Sequence, residues 1–197
     1  MKVVLASNNS GKIREFKELL TPFHFQLIPQ AELGISEAEE TGLTFIENAL
    51  IKARHASRLA GLPALADDSG LTVKVLQGAP GIYSARYAGV HASSSDNIKK
   101  LLNELKGMPD EKRQAYFYCV LVFLSHENDP TPLLCTGKWS GMILPEEKGE
   151  EGFGYDPVFY VPSENKTAAE LPLAIKNKIS HRGLAFQTLI RLLPEKL

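Results

Sequence analysis

The chain has 197 residues, long enough for one sizeable core or two small ones. Its 22 Lys+Arg and 23 Asp+Glu leave a formal net charge of -1. That balance argues against a nucleic-acid or membrane-surface binder, which carries a basic excess to meet phosphate.

The N-terminal run Lys2-Val3-Val4-Leu5-Ala6 reads as a short buried strand, with no basic-then-apolar leader before it. Ser7-Asn8-Asn9-Ser10-Gly11-Lys12 follows, and then a helix over 11–20 in which Ile13, Phe16, Leu19 and Leu20 recur at helical spacing and Pro22 stops the element. A polar loop between a strand and a helix suits an anion, because free backbone N–H groups and the helix dipole meet there. It is not a Walker loop: Ala6 replaces the first glycine and Ile13 the metal-binding hydroxyl. Ser7, Asn9 and Lys12 could contact phosphate oxygens, or the stretch could simply cap the helix.

A second strand falls on 25–29, and 36–42 is acidic and irregular. From Thr44 to Ala60 a wide apolar face predicts a long helix closed by Gly61 and Pro63. Residues 63–71 return to strand, with Ser69-Gly70 expected to turn it, and 71–76 reads as a further strand or a first helical turn. Asp67 and Asp68 would face opposite sides of the strand, so only one can serve a given site. Glu37, Glu39 and Glu40 form a second acidic cluster. Two carboxylates brought together from separate elements suit Mg²⁺, which takes hard oxygens and few protein ligands. Singly, the Asp could be a solvated turn and the Glu run a helix N-terminus.

Ser93–Ser95 can cap a helix with Ile98, Leu101, Leu102 and Leu105 inward, ended by Gly107-Met108-Pro109. Residues 114–126, 132–144 and 156–162 are β-rich, with a turn at Asn128-Asp129-Pro130. From Lys166 onward the chain reads as helical. Cys119 and Cys135 fit no Cys-x-x-Cys spacing and read as buried apolar residues. His24, His55, His91 and His126 show no ligand spacing, and no apolar run approaches a membrane span. This order predicts an α/β fold around a mixed sheet.

Two further stretches carry chemistry. Phe153, in the Gly-rich run 149–157, could stack on a flat heterocycle, or fold back over the core. Lys176, Lys178, His181 and Arg182 cluster at a break between two helices, where donors suit carbonyl or phosphate oxygens; a basic helix C-terminus answering its dipole is the plainer reading.

In order, Ser7-x-Asn9-x-x-Lys12 and the stretches 39–53, 66–71, 80–89, 153–157 and 180–183 resemble the signature blocks of the inosine triphosphate pyrophosphatase family. The resemblance runs from residue 3 to about 190. It implies a long central mixed β-sheet flanked by helices, with two lobes and an active-site cleft between them, formed by one domain over 1–197. It also implies a Mg²⁺-dependent homodimer that hydrolyses ITP, dITP and XTP to the monophosphate and pyrophosphate; the missing leader and membrane span, with the even charge balance, predict a cytoplasmic location and no nucleic-acid or membrane partner. Carried over by position, Ser7, Asn8, Asn9, Ser10, Gly11 and Lys12 hold the triphosphate. Glu40 and Asp68 serve the metal, Asp68 also accepts the proton of the attacking water, and Ser69 contacts substrate. Phe153, Gly154, Tyr155, Asp156, Lys176, His181 and Arg182 form the nucleobase pocket. The alternatives are a pyrophosphatase for a modified pyrimidine or methylated nucleotide, and a nucleotide sensor without turnover.

Overall fold

The computed structural model describes residues 1–20 and 25–196. Pro22 and His24 lie outside the described residues. In chain order the elements are β1 (Lys2–Leu5), α1 (Ser10–Leu20), β2 (Gln26–Pro29), α2 (Phe45–Ala60), β3 (Ala64–Val73), α3 (Ser94–Glu104), β4 (Gln114–Leu124), β5 (Leu133–Ile143), β6 (Phe159–Val161), β7 (Lys166–Thr167), α4 (Leu173–Ile179) and α5 (His181–Lys196). The strands form one seven-stranded sheet in the order β2-β1-β3-β4-β5-β6-β7. β1 runs parallel to β2 and β3, whereas β6 is antiparallel to both β5 and β7, so the sheet is mixed, as the sequence predicts.

Local chemistry sets the helix ends. Thr44 caps α2 by accepting from the Glu47 N–H, and Glu47 in turn accepts from the Leu43 N–H and the Thr44 hydroxyl. Gly61, at φ 63, closes the helix by donating its N–H to the Ser57 carbonyl. Ser93 and Asp96 make a reciprocal capping box for α3. At Ser180 the backbone turns extended between α4 and α5, which is the break predicted there.

Two expectations are corrected. Ser69-Gly70 does not turn the chain: β3 continues through it to Val73, and a 3-10 turn follows at Lys74–Leu76. β3 sits between β1 and β4 in the sheet, and its place there overrides the local turn preference of Ser69-Gly70. Lys166–Thr167 is not helical either; it pairs with β6 after Asn165 adopts a positive φ of 53.

The chain divides into two compact units. Unit 1 comprises Met1–Asp68, Cys119–Gly137 and His181–Leu197; unit 2 comprises Ser69–Tyr118 and Lys138–Ser180. Unit 1 packs Val3, Leu5, Phe16, Leu65, Leu121 and Phe186 into its core. Unit 2 centres on Phe117, Trp139 and Phe159, with the Phe159 centroid 4.6 Å from Phe117 and 5.2 Å from Trp139. Both cysteines are buried and free. No helix among the described residues is long and apolar enough to cross a membrane.

Candidate active site

In unit 1, β1 leads into the polar loop and α1 starts at Ser10. Asn9 caps that helix, its Oδ1 accepting the Lys12 N–H at 3.0 Å, and the Ser7 hydroxyl accepts the Asn9 N–H at 3.2 Å. The two readings of the loop are therefore compatible. Its side chains brace the helix start, while the earliest N–H groups of a helix have no intrahelical partner and face an anion favourably. Ser7 is buried, Asn8, Asn9 and Ser10 are exposed, and Gly11 and Lys12 are half-buried.

Asp67 and Asp68 leave β3 toward different partners, as strand alternation requires. Asp67 Oδ1 lies 2.5 Å from the Lys12 ammonium, and Asp67 Oδ2 accepts from Arg182 Nε at 2.7 Å and from the Cys119 thiol at 3.4 Å. Burial pushes the Asp67 carboxyl up, but Arg182 and Lys12 together outweigh it and hold it well below the usual range. Burial also drives the Cys119 thiol far above its usual value, and the Asp67 charge adds to that.

Asp68 behaves otherwise. Its Oδ1 accepts from Lys52 Nζ at 2.6 Å, and the same ammonium reaches Glu40 Oε1 at 3.0 Å. Asp68 Oδ2 is buried and has no hydrogen-bond partner among the described residues. Burial raises the Asp68 pKa, and the pull of Lys52 does not fully offset it. For Lys52, burial opposes the ammonium, yet Asp68 and Glu40 prevail and raise its pKa.

Unit 2 carries a second group. Asp156 is buried and accepts the Phe153 N–H at 2.8 Å and the Lys176 ammonium at 2.7 Å. The same ammonium sits 5.0 Å from the Phe153 ring centroid. A side chain at Gly152, whose φ is 85, would run into the Asp156 carboxylate. Glycine there lets the loop wrap the acid. Tyr155 turns inward: it joins the unit 2 core and its hydroxyl donates to the Ser84 carbonyl at 2.9 Å. Gly154, at φ 64, and half-buried Ser69 complete the predicted residues of this unit.

His181 and Arg182 open α5 in unit 1, and both are buried. Arg182 gives Nε to Asp67 and Nη1 to Glu15. The structure thus gathers Lys12, Asp67 and Arg182 in one place, Glu40 and Asp68 around Lys52 in another, and Phe153, Asp156 and Lys176 in a third. Sequence reasoning missed Lys52 and Glu15. Lys52 lies inside the 39–53 block, where the neighbourhood of Glu40 was the available signal; Glu15 carried none.

A mixed seven-stranded sheet flanked by helices is the class of fold to which solved HAM1 structures belong. The HAM1 protein from Coxiella burnetii superposes with a TM-score of 0.92 at 52% identity, over 99% of each chain. The Staphylococcus aureus Ham1 protein does so with a TM-score of 0.88 at 42% identity, over 100% of each. A sequence profile of the Ham1 family matches residues 3–192, and the chain belongs to that family. It is 59% identical over 189 residues to the dITP/XTP pyrophosphatase of Salmonella typhimurium, covering 96% of each chain. To the dITP/XTP pyrophosphatase of Vibrio cholerae it is 55% identical over 195 residues, covering 99% of this chain and 98% of that one. The family resemblance read from the sequence blocks is borne out.

Proposed function

We propose that this chain, acting over 1–197 as one functional domain, hydrolyses ITP, dITP and XTP to the nucleoside monophosphate and pyrophosphate. The observation that carries the reading is Asp68, whose one oxygen is on Lys52 while the other is buried with no hydrogen-bond partner among the described residues. A carboxylate in that state is a stronger base than an exposed one.

The residues fit a Mg²⁺ ion. Glu40 and Asp68 offer hard oxygens close enough to share one ammonium, and the buried Asp68 Oδ2 awaits a cation or a donor. Mg²⁺ takes few protein ligands and fills the rest of its shell with water and phosphate, so two carboxylates can suffice. Bound there by Glu40 and Asp68, Mg²⁺ would offset phosphate charge in the transition state.

The chain's own side chains do the rest. Lys12, the loop hydroxyls and amides, and the first N–H groups of α1 bind the phosphate oxygens and orient the anhydride. Asp68 takes a proton from the water that attacks the α-phosphorus, and the α–β bond breaks with pyrophosphate leaving. Lys52 adds positive charge beside Asp68 and orients its carboxylate through Oδ1. Phe153 supplies a face for a purine, and Lys176, fixed by Asp156, supplies N–H donors for a 6-oxo group. Adenine presents a 6-amino donor there, and a site built on hydrogen bonds rejects such a mismatch by about 10⁴–10⁵-fold. The family resemblance adds a homodimer to this reading, which sedimentation of the purified protein tests, and the sequence adds a cytoplasmic location, which cell fractionation tests.

The deciding experiment is product analysis across ITP, dITP, XTP, ATP, GTP and modified pyrimidine triphosphates. Pyrophosphate and the monophosphate should appear from the deaminated purines first. Orthophosphate and a diphosphate as first products from ITP would refute the mechanism.

A further inference from the structure

Glu40 and Asp68, the two carboxylates proposed above to hold Mg²⁺, owe their positions to different parts of unit 1. Asp68 stands inside β3, whose extended backbone aims its side chain. Glu40 lies in 35–42, a stretch with neither helix nor strand, and its side chain is 23% exposed against 9% for Asp68. A carboxylate on an irregular stretch keeps one direction only if something outside the stretch holds the backbone there.

α2 does the holding. Asn48, Lys52 and His55 stand at i, i+4 and i+7 on that helix, which puts them in one stripe along its surface. The irregular stretch lies along this stripe in the reverse direction. Asn48 Oδ1 accepts the Gly42 N–H at 2.9 Å, Lys52 Nζ donates to Glu40 Oε1 at 3.0 Å, and His55 Nε2 donates to the Ser36 carbonyl at 2.9 Å. Beyond Ser36 the stretch is anchored by buried Ile35. At its other end a Cβ on Gly42 would stand 2.5 Å from Glu47 Cβ and 2.7 Å from Asn48 Oδ1, so only glycine lets the backbone come this close. Asn48 is fully buried, and its Nδ2 has no hydrogen-bond partner among the described residues. A buried donor in that state costs stability, which leucine, with the same branched shape, would avoid. What leucine lacks is the acceptor for the Gly42 N–H.

We infer that Asn48 and His55 are positioning residues for the metal: by pinning the backbone at Gly42 and Ser36, on either side of Glu40, they set its carboxylate for a divalent cation shared with Asp68. The inference rests on the metal role proposed above for Glu40. Side chains that orient a metal ligand without touching the ion are worth about 10–100-fold in affinity. Asn48 and His55 act one step further out, through the backbone, which places them at the lower end of that range.

The test titrates the full chain with Mn²⁺, without nucleotide, and reads the free ion by its paramagnetic resonance signal. Asn48→Leu and His55→Leu should each raise the Kd for Mn²⁺ by about tenfold. The Mg²⁺ concentration that half-saturates pyrophosphate release from ITP should rise by the same factor, with kcat at saturating Mg²⁺ within about twofold of wild type. Melting temperatures should stay within about 4 °C of wild type, since one hydrogen bond is lost in each. His55→Gln keeps an N–H donor for Ser36 and should bind Mn²⁺ within about twofold of wild type. Glu40→Gln should weaken Mn²⁺ at least as much as either leucine variant, and adding Asn48→Leu to it should cost nothing further, because Asn48 acts only through Glu40. If Asn48→Leu does not fold, the His55 pair carries the same test. Unchanged Mn²⁺ binding in the leucine variants, a loss of kcat that excess Mg²⁺ does not restore, His55→Gln as weak as His55→Leu, or additive losses in the double variant would overturn the inference alone. A wild type that takes up no Mn²⁺, or a Glu40→Gln that binds it as wild type does, would overturn the metal role of Glu40 and the inference with it.

Discussion

Asp67→Asn and Asp68→Asn change adjacent residues by the same atom swap, yet the structure assigns them opposite consequences. Asp67 is fully buried between two cations, Lys12 and Arg182. Neutralising it leaves both without their shared anion, and breaking a buried ion pair in this way costs about 3–5 kcal/mol. For a chain of this size each kcal/mol moves Tm by about 2–4 °C, so Asp67→Asn should melt about 6–20 °C below wild type. Asp68 is paired with Lys52 as well, but that ammonium keeps Glu40 when Asp68 is neutralised, so Asp68→Asn should lose less stability and melt no more than about 6 °C below wild type. Turnover should reverse the order of severity, with Asp68→Asn losing about 10²–10⁴-fold in kcat for want of a proton acceptor. Calorimetry and pyrophosphate release on the same preparations read both quantities. The sign with pH is fixed too. A carboxylate held below its usual pKa stabilises the fold at neutral pH, and that contribution falls progressively from its usual pKa downward, until acid protonates it in the folded state too. The Tm gap between wild type and Asp67→Asn should therefore be constant above about pH 5 and close in strong acid. Equal melting temperatures for the two variants, or full activity in Asp68→Asn, would refute the reasoning.

Phe153→Ala should weaken ITP and ATP hydrolysis by similar factors, since stacking accepts any purine, whereas Lys176→Met should lower ITP turnover much more than ATP turnover. The ITP-to-ATP ratio of kcat/KM measures both. Excess EDTA should abolish turnover and Mg²⁺ restore it, with Ca²⁺ failing because its looser coordination does not hold the in-line geometry. Gly137→Ala should destabilise the protein by about 1–3 kcal/mol in urea titration, because its methyl group meets the backbone of His181 and Ala185 rather than a movable side chain.

Much of the frame was legible because it depends on neighbours in the chain. Thr44, Gly61 and Ser93 end their helices through residues three or four positions away. The break at Ser180 was visible as polar and basic residues between two apolar runs. The fate of Asp67-Asp68-Ser69-Gly70 was not legible, because strands distant in sequence overrule a stretch that in isolation turns. The charged partners were harder still. Lys52 looks like one more cation on a long amphipathic helix until Glu40 and Asp68 fold against it, and Glu15 meets Arg182 across 167 residues. Strand alternation did forecast that the two aspartates diverge, but only their partners show which is fully occupied.

The threading of unit 1 gives its assembly an order in time. Lys12 and Asp67 lie in its first segment, whereas Arg182 lies in its third, 115 residues after Asp67. At ribosomal speeds of about 5–20 residues per second, the nascent chain carries Asp67 without its guanidinium for roughly 6–23 s. Unit 2 has all of its segments once Ser180 is made, so it can close first, while unit 1 stays open to chaperones and proteases until α5 arrives.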